Sequence, residues 1–323
     1  MYFAKQMKIY YHLEDCKPLE FAVVTSGTFD GVHFGHQKIL HRLVELSKQY
    51  PNAESVLLTY FPHPRLVLFP DQKDLKLLTT LEEKIAIAQK LGIQHFVIIP
   101  FTKEFSTQSS RDFIEQVLVK KLNTKKLVIG YDHKFGKNRE GSFEYLKQNE
   151  QEFGFSVEEI PAQEIDEIAV SSTKIRKALE NGDIELANEF LGFPYVITGT
   201  VIKGKQLGRT INFPTANIVC EDPYKLIPAE GIYAVLVSYH ATILQGMLYI
   251  GRRSTLGDNL ERTIEVNIFD FDSEIYGEKL SIHFIEKLRG EEKFESLEAM
   301  QTQLALDKIN SITSLNKTNW RIT

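Results

Sequence analysis

Glycines and histidines are concentrated in one short stretch of this chain, residues 27–36, which reads GTFDGVHFGH. An apolar run, residues 21–25, precedes it, and a pattern of helical spacing follows it. The stretch is therefore predicted to be a strand-to-helix turn, whose free backbone N–H groups and helix dipole create a site for phosphate or another anion. His33 and His36, three residues apart, point the same way towards the bound charge.

The glycine spacing of this turn does not fit the commoner nucleotide motifs. Glycines at 27, 31 and 35 do not form G-x-G-x-x-G, and no Lys-Ser/Thr pair follows as in a P-loop. Two alternatives remain for the histidines, which could be ordinary turn residues or metal ligands. A zinc site needs further ligands at recognisable spacing, and the only two cysteines, Cys16 and Cys220, are far apart in sequence. Phosphate binding is therefore favoured well above metal binding.

Three more polar segments follow predicted strands in the first half of the chain. Residues 60–65 are rigid because two prolines restrict the backbone, although taken alone they read as a loop leaving a strand. Residues 130–141 carry glycines and charges that suit a nucleotide-binding loop, or a solvated turn. Residues 171–176 begin a helix that ends at Asn181-Gly182, and N-capping explains only one of their three hydroxyls. The other hydroxyls and the two cationic side chains are suited to binding an anion.

Two segments of the second half have the composition of a site. Residues 199–206 nearly satisfy the P-loop pattern, but a glutamine replaces the metal-binding Ser/Thr and no helix follows, so this match is rejected. The longer stretch 204–217 reads by itself as a glycine-rich hairpin. In residues 262–271 apolar and polar side chains alternate, and this pattern alone favours Glu265 on a solvent-exposed face of a strand.

The elements that position these residues differ between the two halves. Up to about residue 190, short apolar runs alternate with helical patterns, which predicts a parallel sheet covered on both faces, with ligands beyond the carboxyl ends of its strands. These runs are residues 21–25, 55–60, 95–99, 126–130 and 155–160. After Pro194 the strand-like segments are consecutive: residues 195–203, 231–240, 243–250, 262–271 and 279–286. They predict an antiparallel barrel or sandwich, with one helix in residues 294–312.

The predicted fold is an α/β parallel-sheet (Rossmann-like) domain followed by a mostly antiparallel β-barrel domain with a C-terminal helix. A chain of 323 residues with 43% hydrophobic content can bury two cores. The boundary is predicted within residues 191–194, which divides the chain into domains 1–191 and 192–323.

Composition narrows the class of partner. A net charge of −5 provides no electrostatic footprint for nucleic acid. No segment approaches the roughly 18 consecutive apolar residues that a membrane helix needs, and two cysteines without an obvious partner fit a reducing compartment. We expect a soluble cytoplasmic protein that binds neither nucleic acid nor membrane.

The ten-residue turn resembles the HxGH nucleotidyltransferase superfamily, and within it the adenylyltransferase half of bacterial bifunctional riboflavin kinase/FAD synthetases. The three later segments resemble that family's Phe-x-Pro-His-Pro, Gly-x-Asp-Phe-x-Phe-Gly and Ser-Ser-Thr-x-Ile-Arg motifs, in order. The resemblance implies ATP contacts from Gly27, Thr28, Phe29, Asp30, His33, His36, Asp132, Ser172, Thr173 and Arg176. It implies a catalytic role for His33 and His36, and places Pro62 and His63 beside the flavin. His133 stands where the family usually has Phe.

In the second half, residues 204–217 resemble the riboflavin kinase signature, which ends in Pro-Thr-Ala-Asn. The resemblance implies ATP contacts from Gly204, Lys205, Thr215 and Asn217, with Mg²⁺ held by Thr215 and Asn217, and flavin contacts from Arg253 and Arg289. The family's catalytic Glu lies before Ile-Phe-Asp-Phe, and this match assigns the role to Glu265. Departures from the family pattern are Tyr249, Ser254 and Asn267, which replace a usual Asn, Pro and His.

The resemblance covers nearly the whole chain and implies two ATP-dependent, Mg²⁺-requiring reactions. The barrel is expected to phosphorylate riboflavin to FMN, and the first domain to adenylylate FMN to FAD with release of pyrophosphate. A nucleotidyltransferase of other specificity with an inactive barrel is one alternative. A flavin-binding module that consumes no ATP is another.

Overall fold

A computed structural model describes residues 6–72, 74–131, 133–137, 140–161, 170–204, 213–254 and 260–320, without the side chains of residues 253, 254, 260 and 261. Contacts divide the chain into two compact units. We call Met1–Leu75 with Leu81–Ser171 the sheet unit, and Lys76–Thr80 with Ser172–Thr323 the barrel unit.

Six parallel strands form the centre of the sheet unit, in the order β1-β4-β3-β2-β5-β6. They are β1 (Lys8–Tyr10), β2 (Phe21–Ser26), β3 (Ala53–Phe61), β4 (His95–Pro100), β5 (Thr124–Gly130) and β6 (Ser156–Ile160). The helices are α1 (Phe34–Gln49), α2 (Pro64–Leu68), α3 (Leu81–Lys90), α4 (Lys103–Ser106), α5 (Ser110–Phe113, continuing as a π-helix over Ile114–Lys121), α6 (Phe143–Gln148) and α7 (Glu150–Phe153). Val24 and Val23 pack into different core clusters, so both faces of the sheet are covered. The predicted parallel sheet is confirmed.

The strand order reverses at β2. Strands β3 and β4 lie on one side of it, and β5 and β6 lie on the other. In open α/β sheets, ligands bind beyond the carboxyl ends of the strands at such a reversal. The glycine–histidine turn follows β2 directly, and residues 131–141 follow β5, so the topology places two of the predicted segments at this point.

Strand β1 was not among the predicted strands. It has three residues and pairs in parallel with β4 at the sheet edge. Buried His95 of β4 lies 3.1 Å from the Tyr10 hydroxyl through Nδ1 and 3.0 Å from Glu54 Oε2 through Nε2. These contacts come from distant parts of the chain, and three residues are too few to show a period, so no local pattern predicts the strand.

The barrel unit closes six antiparallel strands in the order β10-β11-β8-β7-β12-β9. The strands are β7 (Val196–Ile202), β8 (Ala216–Val219), β9 (Gly231–Tyr239), β10 (Thr242–Ser254), β11 (Leu260–Ile268) and β12 (Lys279–Arg289). Helix α10 (Leu297–Lys317) packs against the outside of the barrel, where Leu315 joins a cluster with Ala234, Met247 and Phe269. The predicted barrel and C-terminal helix are confirmed, and closure leaves the sheet no free edge.

Two helices preceding the barrel belong to the same compact unit: α8 (Ser172–Asn181) and α9 (Ile184–Leu191). Asn188 of α9 is 1% exposed, and both the nitrogen and the oxygen of its side-chain amide form hydrogen bonds to the barrel segment. Its Nδ2 donates to the carbonyl of Phe284 at 2.8 Å, and its Oδ1 accepts from the N–H of Tyr195 at 2.7 Å. The main segment of the barrel unit therefore begins at Ser172, whereas the domain boundary expected from the sequence follows Leu191. The assignment of each activity to a segment of the chain stays a prediction.

The short segment Lys76–Thr80 also belongs to the barrel unit. Leu77 donates its N–H to the carbonyl of Tyr224 at 2.7 Å and accepts from the N–H of Leu226 at 2.8 Å. Buried Lys225 donates from Nζ to the carbonyl of Leu78 at 2.6 Å. The segment is thus held in place by both backbone and side-chain hydrogen bonds.

None of the helices in the described part of the chain is both long and apolar enough to cross a bilayer.

Candidate active sites

The turn between β2 and α1 has a strained backbone. Phe29 and Val32 have φ angles of 47° and 42°, and Gly31 has a φ of 84°. A left-handed conformation is unfavourable for residues with a Cβ, above all for a β-branched valine, and persists only where surrounding structure enforces it. Phe29 and Val32 are 3% and 0% exposed, so the hydrophobic core holds the turn in this shape. Strain of this kind clusters at ligand sites.

His33 and His36 begin helix α1 with their rings stacked, 3.7 Å apart between centroids and 16° from parallel. Neither Nδ1 atom is solvent-exposed or has a hydrogen-bond partner among the described residues. Burial lowers the pKa of His33 to about 4, although Asp30 opposes this, and burial also lowers the pKa of His36 well below its usual value. Both rings are therefore neutral at physiological pH, so their N–H groups serve as hydrogen-bond donors while neither carries a fixed positive charge.

A lysine that the sequence analysis missed supplies positive charge beside this turn. Lys84 of α3 is 7% exposed, and its Nζ donates to the carbonyl of Thr28. Burial lowers the pKa of Lys84 to about 8, and Asp30 opposes that shift. A sequence signal existed, because Lys84 shares helical spacing with Leu81 and Ala88 on the apolar side of α3. A lysine in an apolar stripe is out of place unless it has a buried partner.

A cavity of about 730 Å³ opens at the carboxyl ends of these strands. Its polar wall contains Gly27, Thr28 and His36 from the turn. Its aromatic wall is formed by Phe29, Tyr60, Phe101, Phe105, Phe113 and Phe135. Lys134 and Lys137 contribute cations, and no carboxylate is found among the described residues that line the cavity. Such a cavity suits a ligand with flat rings and an anionic end.

The wall of this cavity is polar at His133, where the resembled family usually has Phe. His133 Nε2 lies 3.4 Å from the Ser26 hydroxyl, and Ser26 is in turn hydrogen-bonded to Tyr60. Burial raises the pKa of the Tyr60 hydroxyl, which therefore stays protonated.

Pro62 and His63 lie at the end of β3 but are not among the residues that line the cavity. His63 precedes helix α2 and accepts the N–H of Arg65 at Nδ1, 3.2 Å away. Pro64 and Leu68 of α2 line the cavity in their place. The flavin contact expected of Pro62 and His63 stays a prediction.

Ser172, Thr173 and Arg176 lie in the first turns of α8, which belongs to the barrel unit. The Arg176 side chain donates from Nε to the carbonyl of Lys76 at 2.6 Å. Their expected role as ATP ligands stays a prediction, and so does that of Asp132 and Lys205, which lie outside the described residues.

Glu265 is the centre of the candidate site in the barrel. It lies on β11 opposite Asn217 of β8, and Thr215 donates from Oγ1 to Glu265 Oε2 at 3.1 Å. Gly204 lies against the same asparagine, because a Cβ at position 204 would stand 2.2 Å from Asn217 Nδ2. Register and packing thus unite three predicted ATP- or metal-binding residues with the predicted base. Thr215 also lines a small hollow of about 80 Å³.

The interpretation of Glu265 as a solvent-exposed strand residue is wrong. Glu265 and Asn267 are 8% and 7% exposed. They share a face of the barrel wall with Met247, which packs in the cluster under helix α10. Asn267 donates from Nδ2 to the carbonyl of Pro214 at 2.6 Å, which anchors the segment that carries Thr215. Alternation cannot reveal such burial, because a helix covers one face and barrel closure covers the other.

The two arginines of the barrel that were predicted to contact flavin, Arg253 and Arg289, are not seen beside Glu265 in the described part of the structure. Arg289 forms a bidentate ion pair with Asp307 of α10, with Nη2 2.7 Å from Oδ2 and Nε 3.0 Å from Oδ1. Asp307 is 1% exposed, so Arg289 joins the helix to the barrel. The side chain of Arg253 is outside the described part of the structure. The flavin roles of both arginines stay predictions.

Comparison with known proteins covers both units. Residues 16–174 match the family model described as FAD synthetase, and residues 191–315 match the one described as riboflavin kinase. A protein of Listeria monocytogenes named bifunctional riboflavin kinase/FMN adenylyltransferase is 39% identical over 286 residues, which cover 88% of this chain and 90% of that protein. A protein of the same name from Bacillus subtilis is 36% identical over 295 residues, covering 90% of this chain and 92% of that protein.

A solved structure has the same fold across the chain. The crystal structure described as a macrolide-efflux protein from Streptococcus pneumoniae matches with a TM-score of 0.84 at 29% identity. The match covers 98% of this chain and 99% of that chain.

Proposed function

This chain belongs to the bifunctional riboflavin kinase/FMN adenylyltransferase family and is an enzyme with both activities, and we propose how its two sites divide the work. The cavity beside the His33–His36 turn transfers an adenylyl group from ATP to FMN. The Thr215–Glu265 site of the barrel transfers a phosphoryl group from ATP to riboflavin. The observation that carries this division is where a buried carboxylate lies: Glu265 is at the centre of one site, and no carboxylate lines the other among the described residues.

Adenylyl transfer suits the carboxylate-free cavity, because its nucleophile is already an anion. The second pKa of a phosphate monoester is about 6, so the FMN phosphate needs no general base at neutral pH. A phosphate oxygen attacks the α-phosphorus of ATP, and the bond to the departing pyrophosphate breaks. The N–H donors of two neutral histidines, the start of α1 and the buried charge of Lys84 stabilise the negative charge. The aromatic side chains of the cavity wall hold the flat rings of the substrates, which keeps the attacking phosphate in line with the α-phosphorus.

Phosphoryl transfer to riboflavin requires a base, because the attacking hydroxyl must lose its proton. Glu265 accepts that proton as the ribityl oxygen bonds to the γ-phosphorus and ADP leaves. The hydrogen bond from Thr215 orients the carboxylate and links it to the segment that we propose holds ATP. A hydrogen bond to a charged group contributes about 1.5–3 kcal/mol, enough to fix one rotamer of Glu265.

Both reactions require Mg²⁺ in this proposal. Thr215, Asn217 and Glu265 present hydroxyl, amide and carboxylate oxygens, the donor types that Mg²⁺ prefers, and the missing side chain of Gly204 allows Asn217 to pack where it does. Thr215 and Asn217 hold the ion, which when bound neutralises charge on the ATP phosphates. ATP, riboflavin, FMN and FAD are the small-molecule partners, and a cytoplasmic location stays a prediction from the sequence.

A product assay on the full chain tests the proposal. The protein is incubated with riboflavin, ATP and Mg²⁺, and flavins are separated by chromatography while pyrophosphate is measured. We expect FMN first and FAD later, with one pyrophosphate released for each FAD. FMN without FAD contradicts the adenylyl transfer. If flavin binds while ATP stays intact, the protein is a flavin-binding module instead. If pyrophosphate is released with another phosphate ester but not with FMN, the protein is a nucleotidyltransferase of different specificity.

A further inference from the structure

Lys84 is a buried cation whose charge the proposed adenylyl transfer uses, and its hydrogen bond to the turn points to a second role. Its side chain extends from α3 to the carbonyl of Thr28, 56 positions earlier in the chain. Burying an ammonium group is unfavourable unless it is paired and hydrogen-bonded, and an apolar residue would fill the same volume without that penalty. The carbonyl that it binds lies directly before the left-handed residue Phe29 of the turn. Lys84 therefore contacts the backbone of the turn directly before its strained residues.

Two titratable groups of the turn interact electrostatically with Lys84. Asp30 of the turn attracts it, and its charge acts on His36 at the start of α1. His33 lies against His36, and Glu83 is the buried neighbour on α3 itself. Of these groups only Asp30 and Glu83 are acidic. Lys84 therefore lies in the same electrostatic environment as Asp30 and His36 of the turn.

We propose that Lys84 is a positioning residue for adenylyl transfer, which fixes the Thr28 carbonyl so that the turn and His36 face the phosphates of ATP. The inference rests on the proposed function of the sheet unit. The hydrogen bond from Lys84 Nζ to the Thr28 carbonyl opposes rotation of the strained peptide units that follow, and the lysine charge acts on His36 at the start of α1. A lysine that only fills the core has no effect on catalysis beyond its effect on folding, and this difference is measurable.

The test measures FAD formation from FMN by the full chain, across a pH series from about 6 to 9.5. Lys84 is protonated below a pKa of about 8, so kcat/KM for ATP should fall as pH rises through that value. Lys84→Met should lose about 10²-fold in FAD formation and show no such alkaline limb. Lys84→Arg should restore part of the activity and move the limb to higher pH, because a guanidinium stays protonated.

Two controls belong to the same experiment. Lys90→Met removes an exposed lysine from the last turn of the same helix and should leave FAD formation within about twofold. Phosphorylation of riboflavin by each variant, measured in parallel, should also stay within about twofold, which shows that the barrel unit is folded. A circular dichroism spectrum and thermal unfolding curve that match those of the parent show that the sheet unit is folded as well. Isothermal titration with ATP should show weaker nucleotide binding by Lys84→Met than by Lys90→Met.

The outcomes are distinguishable. The inference is overturned if folded Lys84→Met makes FAD at the parent rate, or if it is slower but keeps the parent's alkaline limb. Should Lys84→Met not fold, the parent enzyme and Lys84→Arg still decide, because identical alkaline limbs in those two proteins reject the role. If the parent enzyme makes no FAD at all, the proposed function has failed first and the inference falls with it.

Discussion

The two candidate sites of this chain differ in the chemistry that we propose for them. The sheet unit offers a cavity of about 730 Å³ with histidines, lysines and aromatic rings, and no carboxylate among its described lining residues. The barrel has a hollow of about 80 Å³ that is lined by Thr215, and Thr215 is hydrogen-bonded to buried Glu265. The difference follows the nucleophile. A phosphate monoester attacks as it is, while a hydroxyl needs a group to accept its proton.

The sites also differ in how they keep their shape. The glycine–histidine turn, residues 27–36, is one contiguous stretch with a strained backbone at Phe29 and Val32, and the hydrophobic core holds it in this shape. The barrel site is assembled by strand register, which places Glu265 opposite Asn217 and brings Thr215 within hydrogen-bond distance. We therefore expect the first site to respond to changes in local charge and the second to respond to changes in strand geometry.

The largest effect should come from removing the proposed catalytic base of the barrel, Glu265. Glu265→Gln keeps the shape of the side chain but not its proton acceptor, so riboflavin phosphorylation should fall by about 10²- to 10⁴-fold. FAD formation from supplied FMN should remain near the parent rate, because that reaction uses no carboxylate in our proposal. Steady-state rates of both reactions on the full chain measure the split.

Glu295→Gln is the matched control for this substitution, since Glu295 is exposed and precedes helix α10. Its kinase rate should equal that of the parent. A Glu265→Gln enzyme whose kinase rate stays within a few-fold of the parent means that another group accepts the proton.

The reciprocal substitution lies in the sheet unit. His36→Ala removes an N–H donor from the glycine–histidine turn, so FAD formation should fall by about 10²- to 10³-fold while riboflavin phosphorylation continues. His41→Ala, at an exposed position on the same helix, serves as the control and should change neither rate. Loss of both activities in folded His36→Ala, or of neither, contradicts the division between the sites.

Acid should weaken the sheet unit through His33. Its pKa is about 4 in the folded chain and about 6.5 in an unfolded one, so the unfolded state binds the proton more tightly. Stability present above pH 6.5 is therefore lost as pH falls towards about 4, by on the order of 3 kcal/mol. Hydrogen exchange of the α1 amides at several pH values measures this loss.

His33→Gln is the comparison for the acid experiment, because a glutamine carries no titrating group. Its α1 amides should show a weaker dependence on pH between 6.5 and 4 than those of the parent. Parallel curves for the two proteins would place the acid sensitivity elsewhere in the unit.

The smallest predicted effect sharpens the geometric side of the comparison. A Cβ at position 204 would lie 2.2 Å from Asn217 Nδ2, so Gly204→Ala should displace that side chain. Kinase kcat/KM for ATP should drop by about tenfold, equivalent to about 1.4 kcal/mol, without change in FAD formation. Gly290→Ala is the control, because no heavy atom lies within 4 Å of its ideal Cβ. Equal kinetics for the two variants would separate Asn217 from ATP binding.

Prediction from sequence succeeded where the signal is local. The turn at residues 27–36, the helix from Ser172 to Asn181 and the change from alternating elements to consecutive strands are all present in the structure. Periodicity, capping residues and glycine positions depend on a few neighbours in the chain, so the sequence alone is enough to recognise them. Strands β1 and β8 were missed because three and four residues are too few to show a period.

The sequence by itself determined the fold class and the family, and it predicted the residues of two candidate sites. Only the tertiary structure decided that Lys84 reaches Thr28, that Thr215 reaches Glu265 across 50 positions, and that Asn188 ties α9 to the barrel. It also decided that Glu265 is buried and that His33 and His36 are neutral. The reason is physical: propensity is a property of neighbours along the chain, whereas burial, hydrogen bonding and pKa depend on every group that packing brings near.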